Sequence, residues 1–159
     1  KKKKMELEEH FDGDATTVTL YFTNISIIDA NEGSEIYSET EIKESSLELK
    51  AQEGGKISVI VASENLEVKS VSGGVIKAKG ASQKQDININ SGGVYDAEEL
   101  ISQESYVTVT AGGAVTIYCS EKIEAKVTAG GNIKVYGNPK NVKKKKFAGG
   151  KIEIVKGEN

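Results

Sequence analysis

Pairs of adjacent glycines recur along this chain at nearly constant spacing. Successive pairs begin 18 to 20 residues apart. Two degenerate copies, Gly13-Asp14 and Gly33-Ser34, extend the same period upstream. A period of this length predicts a repeat architecture in which each repeat is one structural unit. The six pairs begin at Gly54, Gly73, Gly92, Gly112, Gly130 and Gly149.

Apolar and polar residues alternate after each pair. The third and fifth residues after the first glycine are mostly apolar, and the residue between them is mostly polar, as in a strand with one buried face. The third-residue column contains Ile36, Ile57, Ile76, Tyr95, Val115, Ile133 and Ile152. The fifth-residue column contains Ser38, Val59, Ala78, Ala97, Ile117, Val135 and Ile154.

A second strand precedes each pair. The residue just before the glycines is small in the later repeats, so small-Gly-Gly predicts a tight corner that needs positive φ or close backbone approach. The column five residues before the pair contains Ile28, Leu49, Val68, Ile87, Val107 and Ala125. The column three residues before it contains Ala30, Ala51, Ser70, Ile89, Val109 and Val127.

The repetition of the same columns favours parallel stacking. Sandwiches and up-and-down barrels have antiparallel neighbours that need not repeat residue by residue. We therefore predict an all-β fold, a right-handed parallel β-helix with about 19 residues per coil and seven to eight coils. We expect residues 1–12 to form a charged N-terminal segment and residues 13–157 to form a single β-helix domain.

The same register predicts which outward side chains are neighbours. Opposite charges on adjacent coils would stabilise the stack by about 0.2–1 kcal/mol per pair. The expected pairs are Lys77 with Asp96, Lys134 with Glu153, and Lys79 with Glu98.

Composition and single-residue counts argue against several classes of function. The net charge of −3 argues against nucleic acid as a partner, and no apolar run approaches the ~18 residues of a membrane span. His10 is the only histidine and lies near a charged terminus, which excludes a histidine metal cluster and a Ser-His-Asp triad embedded in the repeats. Cys119, the only cysteine, is expected to face inward. We predict no cofactor, since the glycine pairs lack the context of a nucleotide-binding loop.

One outward column is acidic and its neighbour is basic. The acidic column would either share a cation or be neutralised by the lysines, and we favour a solvated, charge-compensated face. The acidic column contains Glu48, Glu67, Asp86, Tyr106 and Glu124. The neighbouring column contains Lys50, Lys69, Asn88, Thr108 and Lys126.

Three tyrosines are candidate ligand contacts. Tyr118 and Tyr136 fall in one outward column on successive coils and should stack, while Tyr106 lies elsewhere. Stacked tyrosines suit contact with a sugar or a peptide, although such a ladder can also simply stiffen a sheet.

Lysines crowd the last repeat. The run from Lys143 to Lys146 suits a polyanion or a lipid headgroup, although runs of like charge are more often solvated. Because Lys144 and Lys146 occupy columns that are apolar in earlier coils, we expect the second strand of the last coil to be irregular or looped out. Exposed strand edges at the coil ends would permit self-association there.

The ending GGNIKVYGNPKNVKKKKFAGGKIEIV, together with the small-Gly-Gly corners, resembles the putative auto-transporter adhesin head GIN domain family of Bacteroidetes envelope proteins. The resemblance covers roughly residues 33–155, and the first ~30 residues are less typical of the family. It implies a β-helical domain, an extracytoplasmic location at the periplasm or cell surface, and a role in adhesion or surface structure. No signal peptide is recognisable in this chain.

We therefore expect a non-catalytic, adhesin-like or structural surface module whose partner is a surface glycan or an envelope protein. The alternative is a carbohydrate-active β-helix enzyme, a polysaccharide lyase or hydrolase. We expect no enzyme activity, because the chain has no arginine and its short coils leave little loop from which to build a cleft.

Overall fold

The structure is a computed structural model that describes residues 2–11 and 14–156. These ranges contain eleven strands and no helix. In chain order the strands are β1 (Lys3–Phe11), β2 (Asp14–Phe22), β3 (Ile27–Ala30), β4 (Glu35–Gln52), β5 (Lys56–Val71), β6 (Val75–Asn90), β7 (Val94–Thr110), β8 (Ala114–Ala129), β9 (Asn132–Tyr136), β10 (Asn141–Ala148) and β11 (Lys151–Val155).

The strands from β3 to β11 stack in parallel. Each strand from β4 to β8 covers most of one coil, and each from β4 to β7 pairs in parallel with the next strand along the chain. The two halves of β8 pair with β9 and β10, and β11 pairs with β9. The result is a parallel β-solenoid of about seven turns with roughly 19 residues per turn, which confirms the predicted fold class.

The inward columns form the core. Ile57 lies opposite Ile76, and Ile76 lies opposite Tyr95 on the following coil. Each of the three side chains is at most 1% exposed. A further inward column was not anticipated because its members are not uniformly apolar. It contains Leu47, Leu66, Gln85, Ser105 and Ile123. There the Tyr95 hydroxyl donates a hydrogen bond of 2.7 Å to Oε1 of Gln85, so that the one buried phenol has a partner.

The glycine corners have two separate physical causes. Ser72 and Gly73 both have positive φ, 51° and 74°, which favours glycine at the second position. At Gly74 the cause is space, since a Cβ atom there would lie 2.2 Å from the carbonyl oxygen of Ala51 on the preceding coil. The predicted corner is thus confirmed, with each glycine of this pair required for a different reason.

The first repeat is not a coil. Strand β2 runs antiparallel to β1, and β1 also pairs antiparallel with the start of β4. Met5 and Phe22 of this hairpin join the buried core. The sequence predicts that a strand of the parallel stack follows Gly13-Asp14. This prediction is wrong, because the strand that follows, β2, is antiparallel to β1. The boundary expected between residues 12 and 13 falls between the two hairpin strands, and residues 12, 13 and 157 and the His10 side chain lie outside the described residues.

The last coil is regular, which corrects a second expectation. Strand β10 pairs with β8 in register from Asn141 to Lys146, and Lys144 and Lys146 continue the columns of Ala125 and Val127. These lysines are exposed because no further coil in the described chain covers them. A charged side chain in an inward column is tolerated at such an end since it reaches water.

The middle of the coil carries register shifts. Between β6 and β7 the pairing shifts after Lys77 and Asp96, so Gly80 lies opposite Leu100. Lys79 consequently forms its ion pair with Glu99, at 3.0 Å, and the expected pairing with Glu98 was wrong. The other predicted neighbours, Lys77 with Asp96 and Lys134 with Glu153, lie directly opposite each other.

No helix in the described ranges is long and apolar enough to cross a membrane.

Candidate functional site

An apolar ridge runs along the middle of the last coils, between one glycine corner and the next. We call this part of the coil, where the register shifts lie, the second corner. Ile101, Tyr118 and Tyr136 lie directly opposite one another on β7, β8 and β9, and Val155 of β11 continues the column. Ile101 is 58% exposed, and both tyrosines are half-buried. We call Ile101, Tyr118 and Tyr136 the tyrosine ridge. It confirms that Tyr118 and Tyr136 share one outward column on successive coils.

The rings of the ridge are held by their neighbours. A Cβ atom at Gly137 would lie 2.4 Å from the carbonyl oxygen of Cys119 and 3.2 Å from Cζ of Tyr118, so the glycine permits close backbone approach and leaves room beside that ring. The ammonium of Lys134 lies 4.8 Å from the centre of the Tyr136 ring, within cation–π range. A hydrogen bond to Tyr136 raises the pKa of Lys134, with smaller contributions that include the charge of Glu153. The ridge is thus partly preorganised, and both of its tyrosines remain partly exposed.

A shallow groove begins where the ridge ends. Ala62 and Ala81 precede Ile101 in the same column, and their small side chains leave a depression of about 500 Å³ on the outer surface. Ser63 donates a hydrogen bond of 3.2 Å to Ser82 along its floor. We call this depression the corner groove. It is lined by Lys43, Glu44, Ser45, Ala62, Ser63, Glu64, Ala81, Ser82, Gln83, Ile101 and Gln103.

Groove and ridge form one continuous surface. The column from Ala62 to Tyr136 crosses five coils, or roughly 19 Å at the ~4.8 Å spacing of paired strands. An apolar strip with hydroxyls and amides along its side is the composition expected of a surface that contacts a chain of sugars or an extended peptide.

Tyr106 does not belong to this surface. It lies between Asp86 and Glu124 in the acidic column, and its ring is flanked by the ammonium groups of Lys84 and Lys122, each 5.0 Å from the ring centre. The structure therefore brings Tyr118 and Tyr136 together and places Tyr106 in a different column, as the sequence predicted.

The early coils confirm a charge-compensated face. Lys69 bridges Glu67 at 2.8 Å and Glu48 at 3.0 Å, and these two carboxylates raise the pKa of its ammonium. Lys50 pairs with Asp29 at 3.0 Å. Acidic and basic columns thus neutralise each other on these coils.

The two remaining candidates are the Cys119 thiol and a metal site. Cys119 is fully buried, and its thiol donates to the carbonyl oxygens of Gln103 and Lys122, as expected of an inward core residue. Within residues 2–11 and 14–156, no group of three or more histidine, cysteine or carboxylate side chains is arranged to hold a metal ion.

Sequence reasoning missed Ile101 and the corner groove. Counting from the glycine pair places Glu98, not Ile101, in the column of Tyr118. The register shift between Ala97 and Ile101 moves the isoleucine into that column. The only signal in the sequence was that Ile101, four residues after Ala97, is apolar although the repeat assigns no column to its position.

Taken together, the fold and its outward ladders define a parallel β-solenoid domain. A family model described as "Putative auto-transporter adhesin, head GIN domain" matches residues 2–139. The chain belongs to this family. The match includes the N-terminal hairpin that the sequence resemblance had set aside, and it ends at Pro139, before the lysine-rich coil.

Two crystal structures share the fold. A protein described as a putative adhesin from Bacteroides fragilis is 22% identical, with a TM-score of 0.71 over 76% of this chain and 56% of that one. A protein described as a putative lipid binding protein from Parabacteroides distasonis is 20% identical, with a TM-score of 0.75 over 83% of this chain and 54% of that one. The chain thus spans a little over half the length of each. No curated protein matches the sequence.

Proposed function

We propose that this chain is a non-catalytic, extracytoplasmic, adhesin-like surface module that holds a surface glycan along the corner groove and the tyrosine ridge. The observation that carries the proposal is the in-register alignment of Ile101, Tyr118 and Tyr136 beside a groove floored by alanine and serine. Membership of a family described as adhesin-like supports the same class of function.

The geometry suits an extended ligand. A parallel solenoid keeps successive side chains of one column about 4.8 Å apart, so a ligand laid along the column meets the same kind of contact at every coil. Half-buried tyrosine rings present an apolar face while their hydroxyls can donate and accept hydrogen bonds. Because the ring positions are fixed by the coil, little side-chain entropy would be lost on binding.

Location and lack of catalysis rest on the family. Its description as an auto-transporter adhesin, and a fold neighbour described as a putative adhesin from Bacteroides, support a place at the periplasm or cell surface. A carbohydrate-active enzyme would need paired carboxylates about 5–10 Å apart across the bound sugar. The ridge itself consists of isoleucine and tyrosine and carries no carboxylate pair.

A glycan array tests the proposal. We expect the wild-type chain to bind a subset of glycans and the Tyr118→Ala/Tyr136→Ala variant to lose at least tenfold in affinity for that subset. Tyr37→Ala is the matched control, because Tyr37 lies on β4 beside the N-terminal hairpin and should leave binding within twofold of wild type. Equal binding by wild type and the ridge variant would refute the ridge as the contact surface. If the chain binds no glycan on the array but retains envelope proteins in a parallel pull-down, its ligand is a protein and the glycan proposal is refuted.

A further inference from the structure

A second surface on the last coils carries charge that the fold does not neutralise. We propose that the outward face formed by Lys126, Lys143, Lys145 and Phe147, which we call the lysine face, binds an acidic polysaccharide through its carboxylate groups. This site lies in other columns than the tyrosine ridge, so it does not depend on the proposed role of the ridge.

The charge pattern changes along this side of the solenoid. The outward positions of the second strand segments of β4 and β5 carry Glu48, Lys50, Glu67 and Lys69, two acids and two bases. The equivalent positions of β8 and β10 carry three lysines against one carboxylate. These four residues are Glu124, Lys126, Lys143 and Lys145. A chain with a net charge of −3 thus concentrates positive charge on its last two coils.

Lys126 and Lys145 are the uncompensated pair. They lie directly opposite each other on adjacent strands, an arrangement that destabilises a sheet when the charges are alike. Lys50 and Lys69 are also directly opposite each other, but they are neutralised by three carboxylates. Among the described residues, neither Lys126 nor Lys145 forms an ion pair. An anionic ligand between them would remove the repulsion.

The only acid on the face is already shared. Glu124 pairs with Lys122 at 3.1 Å and more loosely with Lys143 at 3.7 Å. The hydrogen bond from Lys122 lowers the pKa of Glu124, with a smaller effect of the Lys143 charge. Glu124 is therefore ionised at neutral pH and leaves Lys143 with only a weak partner. Each of its carboxylate oxygens contacts one lysine and keeps lone pairs that suit the hydroxyl donors of a sugar.

An aromatic ring and a depression complete the face. Phe147 is 67% exposed, and the ammonium of Lys126 lies 5.4 Å from the centre of its ring. A depression of about 210 Å³ lies across β7, β8 and β10, lined among others by Tyr106, Thr108, Glu124, Lys126, Lys143 and Lys145. Exposed phenylalanine beside paired lysines offers a flat apolar surface for a sugar ring and cations for its acid group. This combination favours an acidic saccharide over a free anion.

Binding of oligogalacturonate, a chain of sugar carboxylates, tests the inference by calorimetry at low and high salt. The methyl-esterified oligomer is the matched ligand, with the same backbone and no charge. We expect wild type to bind the acidic oligomer, Lys126→Gln/Lys145→Gln to lose at least tenfold in affinity, and salt to weaken binding by wild type more than by this variant. Phe147→Ala should lose several-fold.

The control variant is Lys50→Gln/Lys69→Gln, which removes two lysines from the same columns on the compensated coils and should stay within twofold of wild type. An equal loss in both double variants, equal binding of the esterified oligomer, or no binding by wild type would each overturn the inference. Vesicles of phosphatidylglycerol and phosphatidylcholine form a separate arm. Binding to the vesicles without binding to the oligomer would assign the lysine face to membrane headgroups and overturn the saccharide. The Tyr118→Ala/Tyr136→Ala variant keeps the lysine face intact, so it should bind the acidic oligomer as wild type does. A failure of the proposed ridge site would therefore not change the outcome of this experiment.

Discussion

Tyr118 and Tyr136 lie directly opposite each other on adjacent coils, eighteen residues apart in sequence. Their pairing links the repeat of the sequence to the proposed contact surface, because the same register that buries Ile117 on Val135 aligns the two rings outside.

The tyrosines should couple energetically. In a double-mutant cycle of Tyr118→Ala and Tyr136→Ala, we expect a coupling free energy of about 0.5–1 kcal/mol in the free energy of unfolding, the range for cross-strand aromatic pairs. Urea unfolding of the four proteins measures it. Additive losses would show that the rings do not contact each other in solution.

The two glycines of one corner should respond differently to substitution. Gly74→Ala places a Cβ atom 2.2 Å from the Ala51 carbonyl oxygen, so we expect a loss of at least about 2 kcal/mol in the free energy of unfolding. Gly73→Asn meets no atom within 4 Å, and asparagine tolerates positive φ, so its loss should stay below about 1 kcal/mol. Denaturant melts compare the two, and the reverse order would contradict the corner geometry.

Ile117 tests the inward column. Its side chain is fully buried, so Ile117→Asp should abolish the cooperative thermal transition by burying an unpaired charge. Thr116→Asp is the matched control, since Thr116 is the adjacent outward residue and should change the free energy of unfolding by less than about 1 kcal/mol. A near-normal transition for Ile117→Asp would refute the register.

Lys144 and Lys146 should keep the C-terminal coil end from stacking. Both occupy inward columns at a strand edge that pairs on one side only within the described chain. We expect Lys144→Val/Lys146→Val to self-associate more strongly than wild type, because apolar residues and an open edge then coincide. Size-exclusion chromatography with light scattering measures this. An unchanged mass across micromolar to millimolar concentrations would remove the protective role of these lysines.

The sequence predicted the regular coils well because one constraint repeats in every one of them. Ile57, Ile76 and Ile133 must each fill the same interior position, so their spacing shows the register directly. The glycine corners were predictable for the same reason, since a Cβ atom at the second glycine of each pair would lie within 3.0 Å of an atom of an earlier coil.

The ends and the second corner were not predictable in this way. Met5 and Phe22 bury themselves through an antiparallel hairpin that no repeat describes. A lysine at position 144 predicts an irregular strand if every inward position must be apolar. The strand is regular, because an inward lysine is accommodated wherever no further coil covers it. Ile101 reaches the tyrosine ridge through a register shift, and the second corner carries no recurring glycine pair that would have fixed the count.

Binding without turnover is the central claim. Titration of the wild-type chain with a panel of surface polysaccharides, followed by an assay of new reducing ends and of unsaturated products after long incubation, measures both parts at once. The account predicts saturable binding, a tenfold or greater loss in Tyr118→Ala/Tyr136→Ala, and no cleavage. Release of reducing ends or unsaturated sugars that copurifies with the chain would contradict it and assign the solenoid to the carbohydrate-active enzymes.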